Sequence, residues 1–462
     1  MKRISILLLL PLISCTLHPK YARPDVEMPT TWRVETADAK ELLSMQWWEQ
    51  FEDSTLNELI IEALKNNQDL KVAIERVNVF IAELGIANSQ LYPQLAANIG
   101  ASRSRSSQTL LPEVIPSVSN AFSLIFNAQY LVDIWGQVRS QSETAYHKML
   151  ASVETRRSVI LGLVTSLATT YVQLRQFDKQ LMIAKDTLST RTQAFDLALL
   201  RFELGLTSEL EPEQSLAEVE QAEVEILRLE LAIAEAENLI SVLLGKPSMA
   251  VPRGKSIDAL VKNYKIPSYI PSDILEQRPD ICQREQELMA ANANIGVAKA
   301  AFFPQINLIG ALGTDSSFIP KLFQHSSNVW QYGATLLQEI FTGGRLTSNL
   351  RLTEAQKRLA IHAYEGTILT AFQEVNDALI SNQISKNLEA VQKERVATLS
   401  DYLRLSNLRY IEGQTDYLTF LDAERQVFNA LLEYTSTQGD MLISLINLYK
   451  ALGGDWVIKE DK

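Results

Sequence analysis

The chain has 462 residues, with 43 Lys and Arg against 55 Asp and Glu, a net charge of −12, 46% hydrophobic residues and two cysteines. The ordinary hydrophobic content excludes a disordered or collagen-like chain, and an acidic balance without a basic tract excludes a nucleic-acid partner. Two cysteines cannot build a disulfide framework or a thiolate zinc site. At about 100–200 residues per domain the length allows two to four units. No apolar run reaches the roughly 18 residues of a spanning helix, so any membrane crossing must be made by something else.

Lys2 and Arg3 precede an apolar run from Ile4 to Ile13, an export signal too short to anchor as a spanning helix. The run ends Leu12-Ile13-Ser14-Cys15, which resembles the lipobox of bacterial lipoproteins. Cleavage would remove residues 1–14 and leave Cys15 to carry a diacylglycerol and an N-acyl chain, a lipid tether worth about 0.8 kcal/mol per buried CH₂. By the bacterial sorting pattern, Thr16 after the cysteine permits transfer to the outer membrane. Residues 15–55 read as an extended anchor segment. The second thiol, Cys282, reads as structural.

The remainder is written twice. Gly85 to Leu95, with Pro93-Gln94, aligns with Gly296 to Ile306, with Pro304-Gln305, at an offset of 211. Arg201 to Thr207 aligns with Arg409 to Thr415, and Leu244-Gly245 with Leu452-Gly453, at 208. Repeat 1 spans residues 56–245 and repeat 2 spans 272–454, separated by a proline-bearing connector at 246–271 and followed by a tail at 455–462. Each repeat predicts a helix, two strands and a long helical hairpin. The long helix of repeat 1 carries Val153, Ile160, Leu167, Leu174, Leu181, Leu188, Phe195 and Phe202 at a seven-residue interval, the seam of a coiled coil. Its return has Val219, Ile226, Ile233 and Ile240, with Ala222, Leu229, Ala236 and Leu243 three residues on. Repeat 2 keeps the beat at Leu421, Phe428, Leu442 and Tyr449, with Thr435 as an interruption. From Gly136 to Phe202 such a helix would run about 100 Å at 1.5 Å per residue, which predicts a rod or tube.

Between the helices the period switches to two. Strands are predicted at about 94–103, 121–133, 305–313 and 329–340. Leu95, Ala97, Ile99 and Ala101 alternate with Gln94, Asn98, Gly100 and Ser102, and the other three segments follow the same scheme. Apolar side chains toward lipid and small polar ones toward a lumen are the pattern of membrane strands. The aromatics Phe122, Tyr130, Trp330 and Tyr332 suit interfacial girdles. The intervening loops, Arg103 to Ser119 and Thr314 to Asn328, read as polar external caps. Four strands cannot close a barrel, since about eight is the smallest closed set, and open edges in lipid are costly. The chain must therefore oligomerise; three copies give twelve strands, and four copies satisfy the same argument.

By its motifs the chain resembles the TolC-like outer membrane factors, in the lipoprotein branch that serves resistance-nodulation-division efflux pumps. Pro19, Tyr21, Pro24, Pro29, Trp32, Trp47-Trp48, Phe51, Asp53 and Leu56 follow the family's opening, and Ala63, Asn67, Asp69-Leu70, Ala73 and Arg76-Val77 continue it. Arg278-Pro279-Asp280-Ile281, Glu285, Ile295 to Pro304, Arg409-Tyr410, Gly413 and Tyr417 to Ala423 carry the second-half motifs. The chain departs from the pattern at Thr342, where Asp usually precedes the Gly-Gly-Arg, and at Gln137, where Arg is usual. The resemblance implies a mainly α protein with a transmembrane β-barrel portion: a homotrimer closing one twelve-stranded barrel in the outer membrane above an α-helical tunnel through the periplasm. It implies a periplasmic adaptor and an inner-membrane pump as partners.

The resemblance also assigns residues. The turns at Gly205, Thr207, Gly413 and Thr415 would be docking tips for the adaptor, with the glycines as helix C-caps and the threonines as caps of the following helices. Leu418 and Asp422, four apart on one helical face, would form the periplasmic gate, and Arg425 would pair with Asp422 to hold it closed. No catalytic cluster, metal spacing or phosphate-cradling loop is visible: His18, His147, His325 and His362 are scattered. No cofactor beyond the lipid on Cys15 is expected. The function so implied is passive conduction of drugs or other small toxic compounds out of the periplasm, driven by the partner pump. A conduit for type I protein secretion and a non-conducting coiled-coil scaffold are the alternatives.

Overall fold

The computed structural model describes residues 17–24, 47–107, 118–262 and 278–454. The signal, Cys15, much of the anchor segment, part of the connector and the tail lie outside them. A 3-10 turn at Trp47–Phe51 leads into α1 (Ser54–Asn66), α2 (Gln68–Ser89), β1 (Gln94–Arg105), β2 (Val118–Val132), α3 (Gln137–Glu203) and α4 (Leu210–Leu243). Then come α5 (Ile257–Lys262), α6 (Pro279–Ala300), β3 (Gln305–Ser316), β4 (Asn328–Leu337), α7 (Arg345–Ile411) and α8 (Tyr417–Ala451). Both α3 and α7 are 67 residues long without interruption. No described helix is long and apolar enough to cross a membrane.

The chain forms two compact units, and each draws on both repeats. One comprises the N-terminal residues to Asp25, Arg76–Val153 and Gln283–Glu365; the other comprises Val26–Glu75, Glu154–Cys282 and Gly366–Lys462.

The first unit carries the strands. They form one antiparallel sheet in the order β1-β2-β3-β4, so β1 and β4 are its edges. Strand β2 starts at Val118, three residues earlier than the alternation suggested, because Val118 pairs with Arg105 of β1, and β3 continues to Ser316, which pairs with Phe122. Ala101 pairs with Phe122 and Leu312 pairs with both Phe126 and Trp330, so the apolar positions of all four strands share one face. At the strand ends the repeats interlock. Trp135 Nε1 donates to the Pro304 carbonyl at 2.9 Å, and its ring stacks on Phe303 at 4.7 Å. Asp133 accepts from the backbone N–H groups of Val138 and Arg139 and pairs with the Arg139 guanidinium at 3.1 Å, which starts α3. Of the two departures from the family pattern, Gln137 accepts from Gln305 Nε2 at 3.0 Å, and Thr342 accepts at its carbonyl from Arg345 N–H at 3.1 Å, beside the Arg345–Glu339 ion pair. The N-terminal residues lie along α6: Tyr21 donates to Glu285 at 3.1 Å and Asn292 donates to the Pro19 carbonyl at 2.7 Å.

The second unit is helical. Trp47, Trp48, Phe51, Leu56 and Ile60 pack with Leu167, Tyr171, Leu174, Ile240, Ile257, Leu442 and Tyr449 into one core. Trp47 stacks on Tyr449 with ring centroids 5.4 Å apart. Asp53 caps α1 by accepting from Thr55 and Leu56 N–H, and its other oxygen accepts from the Tyr171 hydroxyl at 2.8 Å and from Lys255 N–H at 2.9 Å. Repeat 1 opens with two helices rather than one, since Asn67 both ends α1 and caps α2: its Oδ1 accepts from Leu70 N–H at 2.9 Å while its amide donates to the Leu243 carbonyl. Arg278 performs the corresponding duty in repeat 2. It donates to the Ala451 carbonyl at the C-terminus of α8 and pairs with Asp280 and Glu374, joining α6, α7 and α8. Thr435 does not interrupt the seam of α8. It is buried there with its hydroxyl donating to the Leu431 carbonyl at 2.9 Å.

Candidate functional site: a channel wall and a helical gate face

The sheet has the chemistry of a channel wall. One face carries Leu95, Ile99, Leu124, Phe126, Leu308, Leu312, Trp330, Tyr332 and Leu336; Leu95 is 80% and Ile99 84% exposed. The other carries Gln94, Asn98, Ser102, Ser123, Asn127, Asn307, Asp315, Gln331 and Thr335. Exposed apolar side chains on one face and small polar ones on the other suit lipid outside and water inside. Phe122 and Tyr130 stand eight residues apart on β2, about 27 Å of strand and close to the height of an apolar membrane band. Trp330 and Tyr332 stack on one another instead, 5.5 Å apart, in successive same-face positions. The β3–β4 connection is not purely polar: Phe318, Ile319 and Phe323 are exposed on it.

At the helix turns, Gly205 has φ +68° and Gly413 has φ +68°. Leu206 N–H donates to the Arg201 carbonyl and Gly205 N–H to Phe202; Gln414 N–H donates to Arg409 and Gly413 N–H to Tyr410. Both are Schellman caps, which require the left-handed glycine. The threonines do not cap the next helices. Asp416 caps α8, accepting from Thr419 N–H at 3.0 Å, and leaves Thr415 outside the helix. Glu209 is the N-cap of α4 and makes no side-chain cap bond; Pro212, third in that helix, has no N–H to offer it. Thr207 lies in the turn itself. The two turns are brought together by Arg201, whose guanidinium lies over the Tyr410 ring at 5.4 Å and donates to its hydroxyl. Tyr410 in turn stacks with Phe420 and tilts against Tyr417.

Leu418, Asp422 and Arg425 occupy the first turns of α8. Leu418 is 53% exposed. Asp422 accepts from Gln426 Nε2 at 2.6 Å and meets Arg425 at 3.7 Å. Arg425 also lies 3.7 Å from Glu218 of α4. Glu218 leads inward to Arg191 of α3, which is only 2% exposed. Arg191 donates to the Glu218 backbone carbonyl at 2.7 Å, contacts its carboxylate at 2.9 Å and that of Glu424 at 3.4 Å, and lies over the Phe428 ring at 4.9 Å. Burial raises the Glu424 carboxyl above the ordinary carboxylate range, and Arg191 opposes that shift. Two cations and three carboxylates thus tie the start of α8 to the α3–α4 hairpin. Arg191, Glu218 and Glu424 were not singled out from the sequence. A signal existed: Arg191 and Glu424 each stand three residues after a seam position, Leu188 and Leu421, where apolar residues are the rule.

The profile of the outer membrane efflux protein family matches residues 59–246 and 270–454. The chain belongs to that family. Among relatives of this efflux protein, the solvent efflux pump outer membrane protein SrpC of Pseudomonas putida is 33% identical over 468 residues, covering 100% of this chain and 99% of the relative. Outer membrane protein OprJ of Pseudomonas aeruginosa is 32% identical, covering 98% and 95%. The open-state crystal structure of the Neisseria gonorrhoeae outer membrane channel MtrE superposes with a TM-score of 0.85 at 30% identity, covering 96% of this chain and 98% of that one. The protein is an outer membrane efflux channel of the TolC-like class, and not an enzyme.

Proposed function

We propose that three copies of this chain close a twelve-stranded barrel in the outer membrane and conduct small toxic compounds outward without energy of their own. The two-faced sheet with both edges unpaired carries this reading. Backbone groups at those edges have no partner in lipid unless another copy supplies one. Three four-stranded sheets make an even-numbered barrel within the known range. An inner-membrane resistance-nodulation-division pump supplies selection and energy, and a periplasmic adaptor docks at the turns marked by Gly205, Thr207, Gly413 and Thr415. Exposed Leu204, Leu206 and Ile411 beside those turns offer apolar contact for such a partner. Leu418 and Asp422 line the gate and Arg425 restrains it. Diacylglycerol and an N-acyl chain on Cys15 hold the N-terminus at the membrane.

The mass of the detergent-extracted complex and its current in planar bilayers test this together. Three copies per particle and a stable conductance are expected; a silent monomer overturns it. Deleting the gene separates the cargo classes, since sensitisation to toxic compounds is expected, and lost protein export with unchanged susceptibility would refute small-molecule efflux.

A further inference from the structure

Two arginines stand at the outer end of the lipid-facing side of the sheet. On β1 that side is Leu95, Ala97, Ile99 and Ala101, and the same series continues with Arg103 and Arg105, both exposed. Arg103 pairs across the strands with Asn120 and Arg105 with Val118, one and two pleats beyond the Ala101–Phe122 pair. The end they occupy is the hairpin end, away from the strand termini that join the helices, and so the outside end of an outer membrane channel. No carboxylate shares this face: Asp315, the sheet's one acidic residue, pairs with Ser123 on the other. Neither arginine makes an ion pair with a described residue.

The placement is informative because an inward position was available at no penalty. A cation on the lipid face costs about 2–4 kcal/mol at mid-membrane and about 0–1 near the interface. Two guanidiniums just past an aromatic residue, with no ion pair among the described residues, therefore belong at headgroup depth. Same-side residues on a strand are about 7 Å apart, close enough to bracket one phosphate or to take two neighbouring ones. Guanidinium binds phosphate oxygens in pairs, with a fixed fork that an ammonium lacks. We propose that Arg103 and Arg105 form a binding site for the phosphate groups of a phosphorylated glycolipid in the outer leaflet. Three chains would present three such sites around the barrel, so this inference rests on the proposed assembly.

Native mass spectrometry of the full-length complex, titrated with diphosphorylated lipid A, its dephosphorylated form and phosphatidylglycerol, tests the site. Wild type should bind the diphosphorylated glycolipid about tenfold more tightly than the dephosphorylated form, and R103Q/R105Q should lose that preference. R103K/R105K should retain part of it and serves where the glutamine variant fails to assemble. Equal binding by wild type and both variants overturns the site. An equal loss for phosphatidylglycerol overturns the choice of a glycolipid, and displacement by millimolar inorganic phosphate overturns a headgroup site. Conductance on the same samples separates the readings: a conducting wild type without phosphate preference refutes the site alone, and a silent one refutes the channel.

Discussion

Arg191 illustrates how one misplaced charge can organise a helical hairpin. Its guanidinium is enclosed by Glu218, Glu424 and Phe428, and its removal would leave Glu424 inside a packed seam without a counter-charge and Glu218 with only the more distant Arg425. Breaking a buried pair in this way costs about 3–5 kcal/mol, far more than an exposed pair. We expect R191A to lower the thermal midpoint of the purified complex strongly at neutral pH. The loss should shrink as the solution is acidified, because a proton on Glu424, whose carboxyl burial already holds above the ordinary range, then replaces the missing guanidinium. An R191A deficit that stays constant with pH would show that the lost contacts are packing rather than charge. Asp422 and Arg425 are half exposed and meet at 3.7 Å, so their worth to stability is about 0.3–0.5 kcal/mol. Their expected effect is on current: D422A and R425A should each raise single-channel conductance while leaving the thermal midpoint near wild type, and unchanged conductance in both would refute the gate. The Asp422–Arg425 pairing was legible from its three-residue helical spacing beside the motif around Tyr417 to Ala423. Arg191 was not, because a periodicity that counts apolar residues passes over the charged member of the same seam.

At the scale of elements, strands and long helices were legible because their periods differ and each persists for many residues. The helix starts were less so. Thr207 and Thr415 are good capping residues in isolation, but Asp416 is one position closer to α8 and Glu209 takes the N-cap position of α4. The split at Asn67 is made by a local cap to Leu70 N–H, and the amide that makes it is held in place by a bond to Leu243, distant in the chain and invisible to local pattern. Pairing of β2 with β3 depends on a close approach that composition does not reveal. A Cβ on Gly313 would lie 2.1 Å from the Leu124 carbonyl oxygen, whereas one on Gly310 would meet nothing nearer than 3.8 Å. We therefore expect G313A to reduce the share of heat-resistant oligomer on semi-native gels and G310A to leave it unchanged. Equal behaviour of the two would mean that the strands slide to relieve the clash.

For the whole molecule, the family resemblance carried most of the functional reading, and the sheet gives it a physical basis. Two repeats each supply two strands, and neither repeat alone forms a compact unit, since both units draw on both. Duplication is thus not a pair of independent domains: each of the two units is built from segments of both halves, which the sequence offsets could not reveal.

The unpaired edges of β1 and β4 have a genetic consequence. If each finished pore takes its wall from three separate polypeptides, one faulty subunit spoils the contributions of two sound ones. Equal co-expression of wild type with an edge-strand variant that assembles but cannot conduct should leave only about one-eighth of particles wholly wild type. Such an allele would behave as a dominant poison, and drug susceptibility should rise well beyond the twofold dilution that a simple loss of half the protein produces.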